Sequence, residues 1–383
     1  MEKKKLIYLD GLRGLGCAMV FLTHFVFAFY YGMYHFQPES CHLPGNLDIV
    51  IGKSPLNLIF NGSSAVRLFL VMSGYLLCRN YMISGDKEHL KQSAKKRYLR
   101  LMPPVLVTNL AIYLCMKLGL YCNWEAAELA GSTEWYQTFN AFPADFWDML
   151  KESLVGCYLF GTNDYNGVLW TMQVLFLGAY LAYALVLFVR PLKYRYIIYA
   201  ILTVLLLRTD FIGVLLGYIL CDFMYSDFPK FHAFLSQKWL NWILFFVGLY
   251  FCGFPSSGFG YEGTIWEILM PYIFVNYYHI FGVLCFVFAV FHLEPLQKFF
   301  SMKVFRYIGR ISYSMYLIHF LVMATFSAWF LLTFHDLLGY NLTSLLNFIL
   351  TAGITVLLSE LSLRYVEPLS KKGEVLLGRI FTK

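Results

Sequence analysis

Long apolar stretches, separated by short polar segments, dominate the chain. A helix needs about 20 consecutive apolar residues to cross a bilayer. Ten stretches meet or approach that length: 14–36, 63–83, 103–121, 166–189, 194–208, 210–226, 240–254, 271–292, 311–333 and 343–363. The fifth, sixth and seventh are short, and are read as merging, re-entrant or shielded by their neighbours. The pattern predicts an all-α, polytopic membrane protein of about ten transmembrane helices, forming one domain over residues 1–383.

Placement of the basic residues gives this topology a direction. With both termini cytoplasmic, the inside segments carry Lys3, Lys4, Lys5, Lys87, Lys91, Lys95, Lys96, Arg97, Arg100, Arg190, Lys193, Lys298, Lys303, Arg306, Arg310, Lys371 and Lys372. The outside segments 37–62, 122–165, 255–270 and 334–342 hold only Lys53 and Lys151. Lys and Arg concentrate in cytoplasmic loops, so the asymmetry supports both termini inside, in a multi-pass protein of the cell (inner) membrane. The run after Lys3-Lys4-Lys5 imitates a signal peptide, but Asp10 and Arg13 interrupt it and no small-residue cleavage site follows. It reads as a retained first span.

Composition narrows the class. The chain is 59% hydrophobic and 14% charged, against roughly 25% charged in soluble domains. A net charge of +7 then speaks of orientation rather than nucleic acid, and no nucleic-acid or phosphate-loop motif is present. The nine cysteines are scattered without a CxxC pair, so no metal site is expected. Cys41 and Cys122 share a predicted outside face, and their pairing is left open. The outside loop 122–165 holds Glu125, Glu128, Glu134, Trp135, Asp145, Trp147, Asp148 and Glu152. It is either a functional loop or an interfacial helix with a tryptophan belt. Sequons begin at Asn61 and Asn341.

Chemistry-bearing residues sit inside these apolar stretches. Asp10-Gly11-Leu12-Arg13-Gly14 opens the first, and His24 lies eleven residues after Arg13. Eleven residues are close to three helical turns, so both share a face about 16 Å apart along the axis. Asp10, three residues before Arg13, can pair with it. A guanidinium suits phosphate or carboxylate, and an imidazole suits proton transfer near neutral pH. The plain alternative is a basic anchor plus a histidine hydrogen-bonded between helices. Arg67 reads as snorkelling to the outer face, while Ser73 and Gly74 read as small residues at a helix contact. Arg97 and Arg100 are neighbours on a helix face within a basic juxtamembrane run. Trp170 and Thr171 mark an outer interface. Tyr313, Tyr316 and His319 make the ninth stretch polar enough to face the bundle interior. Arg364-Tyr365-Val366-Glu367-Pro368 closes the tenth.

Taken in order, five pieces resemble a known family, the membrane-bound acyltransferase family 3 of integral-membrane O-acyltransferases. They are Asp10-Gly11-Leu12-Arg13-Gly14 with His24; Ser73-Gly74-Tyr75; Arg97-Tyr98-Leu99-Arg100; Leu169-Trp170-Thr171-Met172; and Ser312-Tyr313-Ser314-Met315-Tyr316-Leu317-Ile318-His319 followed by Tyr365-Val366-Glu367-Pro368. The resemblance covers nearly the whole chain and implies a stand-alone member without an SGNH-type domain. It implies transfer of an acyl group, commonly acetyl, from cytoplasmic acyl-CoA to a hydroxyl of a glycan or other small acceptor at the lipid bilayer. His24 would be the base, with Arg13 and Asp10 beside the donor. Arg97, Arg100, Ser73 and Gly74 would form the donor site, and Trp170, Thr171, Tyr313, Tyr316 and His319 would line the acceptor path. No metal or nucleic acid is implied. One position departs: the family's W-T-x-x-x-E pattern puts a glutamate where this chain has Leu175, with Glu262 and Glu267 as alternatives by type. A small-molecule transporter or exporter and a non-catalytic paralogue are the competing readings.

Overall fold

A computed structural model describes residues 6–256, 260–269 and 275–370; Lys3, Lys4, Lys5, Lys371, Lys372 and the start of the eighth apolar stretch lie outside them. Among the described residues the chain is helical and has no strand. Each predicted apolar stretch coincides with a helix. In chain order these are α1 (Ile7–Phe29), α2 (Gly62–Ser84), α3 (Lys87–Lys117), α4 (Trp170–Val189), α5 (Arg195–Leu206), α6 (Phe211–Met224), α7 (Lys238–Cys252), α8 (Val275–His292), α9 (Lys303–Leu338) and α10 (Tyr340–Ser370).

Length and apolarity support fewer crossings than ten. Five helices, α1, α3, α4, α9 and α10, are long and apolar enough to span a membrane by themselves. Two more qualify only as bent pairs: α6 with Pro229–Leu235, turned by 114°, and the span from Asn276 to His292 with Glu294–Phe300, turned by 100°. α5 and α7 are shorter apolar helices.

Three helices begin seven or more residues before their apolar stretches. α1 starts at Ile7, which puts Asp10 and Arg13 inside the helix. The basic run from Lys87 to Arg100 is the first half of α3, and Pro103-Pro104 lie within it. α9 starts at Lys303, eight residues before the apolar stretch. Polar residues can be helical at a membrane face as readily as apolar ones inside it, so hydropathy marks the span and misses the helix end.

Local signals fix the connections. Gly85, at φ 67°, ends α2 in the left-handed conformation a glycine tolerates without strain. Asp86 follows as the N-cap of α3, accepting from the His89 amide at 3.0 Å. Asn61 caps α2 in the same way, accepting from the Ser64 amide at 3.0 Å.

Two close crossings hold the bundle. In the first, α1 meets α9 and the segment before it: a Cβ at Gly11 would overlap the carbonyl of Phe300, at the end of Glu294–Phe300, one at Gly14 the Phe305 carbonyl, and one at Gly309 the Asp10 carbonyl. In the second, α2 meets α6 through Gly74, against the Val214 carbonyl, and Gly217, against the Val71 carbonyl. Small residues allow this backbone approach where lipid offers no hydrophobic drive.

The outside loop 122–165 folds into the bundle. Its first helix, Asn123–Ala130, buries Ala126, Ala127 and Ala130. Ser132 Oγ donates to the Ala28 carbonyl at 2.8 Å, and Tyr136 OH to the Met323 carbonyl at 2.6 Å. Trp124 on that first helix and Trp147 on the short helix Phe146–Lys151 are exposed, so those two positions suit an interfacial belt. Cys41 and Cys122 are both free thiols. The first sequon is sealed in the fold, because Asn61 is fully buried and donates to the Phe254 carbonyl at 2.7 Å.

Candidate active site

Two histidines meet between α1 and α9, about three turns beyond their closest glycine crossing. His24 Nδ1 lies 2.7 Å from His319 Nε2, with the rings nearly coplanar at 3°. His319 Nδ1 lies 3.0 Å from the Met315 carbonyl one turn back on α9. That carbonyl can only accept, so His319 carries its proton on Nδ1 and offers a lone pair at Nε2. His24 must then donate from Nδ1. Its Nε2 is left as a lone-pair acceptor, and the hydrogen-bond chain assigns this tautomer. Sequence reading placed His319 on the acceptor path; the structure makes it the direct partner of His24.

Aromatic rings fix the imidazole from its other sides. Trp135, delivered by the folded outer loop, stacks on His24 with centroids 5.7 Å apart, and Phe320 meets it edge-on. A cavity of about 430 Å³ adjoins His24, lined by Thr23, Tyr34, Ser63, Arg67, Trp170, Asp210, Asn276 and Tyr316 among others. Arg67 is 6% exposed and pairs with Asp210 at 3.0 Å. Snorkelling therefore does not describe it: its guanidinium reaches Asp210 at the cavity wall, at the start of α6. This ion pair joins a buried arginine to a half-buried aspartate, a contact that spacing within one helix could not reveal. The result is a polar chamber with hydrogen-bond donors, acceptors and an aromatic face.

The other predicted acceptor-path residues hold the walls. Tyr316 OH bonds Thr171 Oγ1 and the Val168 carbonyl, both at 3.0 Å. Tyr313 OH donates to the Leu101 carbonyl at 2.7 Å. Trp170 reaches the cavity directly, whereas Thr171 acts through Tyr316.

Toward the basic end of the same helices stands a cluster of cations. Arg13, Arg97 and Arg100 lie close enough to interact electrostatically, with Asp10 and Glu367 beside Arg13. Arg97 Nη2 donates to the Leu175 carbonyl at 2.9 Å, and its buried Nε has no protein partner. Here the departure at Leu175 has a structural counterpart: where a carboxylate was expected, the backbone carbonyl of that residue takes one N–H of Arg97. Glu262 and Glu267 are exposed in the outer loop near Lys53. The acidic residues at this cluster are Asp10 and Glu367, and Glu367 accepts from Ser314 Oγ at 2.9 Å. Ser73 and Gly74 are not brought into it by any hydrogen bond; Gly74 closes the α2–α6 seam. Among the described residues no group of His, Cys, Asp and Glu is arranged to hold a metal ion.

The family model described as an acyltransferase domain, acyltransferase family 3, matches residues 6–362. The chain belongs to this family. No curated protein and no solved structure matches it. As a member of acyltransferase family 3 it is an integral-membrane acyltransferase, and the match runs from α1 into the last helix, through both histidines and the basic cluster.

Proposed function

We propose that this acyltransferase moves an acyl group, in the first place acetyl, from a cytoplasmic acyl-CoA to a hydroxyl of a glycan or similar polyhydroxylated acceptor held in the outer chamber. The carrying observation is the chain His24–His319–Met315, which leaves His24 Nε2 as an acceptor beside the cavity.

The chemistry balances on these residues. His24 Nε2 takes the proton of the acceptor hydroxyl as its oxygen bonds to the thioester carbonyl carbon. The carbon–sulfur bond breaks and the thiolate leaves. The imidazolium of His24, still donating through Nδ1 to His319, returns the proton to sulfur, giving the ester and the free thiol. Arg97, Arg100 and Arg13 supply fixed positive charge for the donor's phosphates, with Asp10 and Glu367 holding Arg13 in place.

His24→Ala is expected to lower thiol release from acetyl-CoA by about 10² to 10⁴-fold, the usual worth of a general base, while the purified protein keeps its unfolding midpoint. Full turnover by a folded His24→Ala protein would remove His24 from the reaction. Arg97→Gln and Arg100→Gln are expected to raise KM for the thioester with a smaller effect on kcat.

A further inference from the structure

A second cluster of cations stands at the basic end of the bundle, outside the site above. Arg190 follows α4, Arg195 opens α5, and Asp222 lies in the last turn of α6. Asp222 is fully buried. Arg190 Nε donates to Asp222 Oδ1 at 3.0 Å, and Arg195 Nε to Oδ2 at 2.9 Å. Arg195 Nη2 also donates to Tyr196 OH and Ser226 Oγ, each at 3.0 Å.

Neutralising one buried carboxylate takes one cation. This one has two, so the triad carries a net positive charge. Asp222 grips both guanidiniums by Nε, and the terminal nitrogens of Arg190 make no hydrogen bond among the described residues. A cavity of about 380 Å³ opens there, lined by Tyr81, Arg190, Arg195, Tyr225, Ser226 and Asp227 among others. The hydroxyls of Tyr81 and Tyr225 likewise have no hydrogen-bond partner among the described residues. Asp227 is exposed, where solvent screens it. Arg79 lies close enough to act electrostatically on Tyr75 and Cys221, with a buried Nε that has no hydrogen-bond partner among the described residues.

A planar guanidinium fork with its outer edge free matches the oxygens of a phosphate, and a basic pocket between helices at this face is where anionic headgroups bind. We propose that the cavity is an anion site that takes a phosphate group, presented either by an anionic phospholipid of the adjoining leaflet or by a soluble phosphate compound.

Thermal unfolding of the purified protein, followed by tryptophan fluorescence, tests this with inorganic phosphate, ADP, dioctanoyl-phosphatidylglycerol and zwitterionic dioctanoyl-phosphatidylcholine. At least one anionic probe should raise the midpoint, and phosphatidylcholine should not. A response to phosphatidylglycerol alone assigns the site to lipid; a response to phosphate and ADP alone assigns it to a soluble ligand. Arg190→Gln should weaken the responding probe about tenfold or more. Tyr81→Phe with Tyr225→Phe keeps the Arg–Asp222 triad intact, and should weaken it as well even if Arg190→Gln does not fold. Arg97→Gln reads out the donor cluster instead. No response to any anionic probe, an equal response in the Arg190 and tyrosine variants, or a response lost only in Arg97→Gln overturns the proposal.

Discussion

At the scale of single residues, the site depends on which nitrogen of His24 is free. In the proposed reaction His319 acts through His24 and is a positioning residue. His319→Gln retains an oxygen that can accept from His24 Nδ1, whereas His319→Ala leaves that donor without a partner and frees the ring to rotate. The expected order of kcat is wild type, then Gln, then Ala, with Ala lower by about 10²-fold or more. The pH–rate profile is the discriminating readout: a residue with a merely structural role would lower active protein without moving the profile. The pair of histidines in register was legible only in part. His24 stood out as an imidazole in an apolar run, and His319 as a second one, but 295 residues separate them. No local pattern states that they touch.

At the scale of elements, two features carry the placement of that pair. The glycine seam between α1 and α9 lies about three turns from the histidines, and its closeness is expected to set how near they come. Gly309→Ala would drive a methyl into the Asp10 carbonyl, and overpacking of this kind costs about 1–3 kcal/mol. The expected result is a lower unfolding midpoint together with loss of turnover, because the helices must part where His24 and His319 meet; wild-type turnover in Gly309→Ala would show that the seam does not set the pair. The second element is the outer loop. Glu152 is 5% exposed and accepts from the Asp164 amide at 2.7 Å, the Tyr165 amide at 3.2 Å and Asn109 at 3.1 Å. Burial outweighs these donors and pushes its carboxyl up to about 7. A folded-state value above the unfolded one means the native protein holds a proton that the unfolded chain has lost. Stability therefore falls as pH rises from about 4.5 to about 7, by up to about 3 kcal/mol. Glu152→Gln should flatten that slope; an unchanged slope would assign it to other groups. Sequence marked this loop as acidic and aromatic, yet left its place open. The deciding contacts, Ser132 to Ala28 and Tyr136 to Met323, lie in other helices.

At the scale of the whole molecule, direction comes from charge. The basic segments and the exposed loop with Glu262 fall at opposite ends of the chain's helices. A membrane-impermeant maleimide applied to intact cells should label Glu262→Cys and spare Ser236→Cys until the membrane is opened, in a background where Cys41, Cys115 and Cys122 are serine. Labelling of both without opening would refute the orientation. Such mapping also bears on the crossing number, where an apolar stretch of the right length was not sufficient. α5 and α7 are short, and α6 and α8 bend sharply into their following segments. Hydropathy averages over a window and does not register a turn of 114° or 100°.

Sequence alone determined the helical membrane class, the positions of the helices, the direction of the charge and the family, because each depends on residue types counted along one stretch or on motifs in order. It also singled out His24, Arg13, Arg97 and Arg100 as costly residues to place in an apolar setting. Tertiary structure decided the rest. It chose the partner of His24 and hence its free nitrogen, joined Arg67 to Asp210 at the chamber wall, drew Trp135 onto the imidazole, and set Glu367 beside Arg13 where Leu175 offers only its backbone. Those are contacts between helices far apart in sequence, set by close packing at glycine seams, and the order of residues along one helix does not encode them.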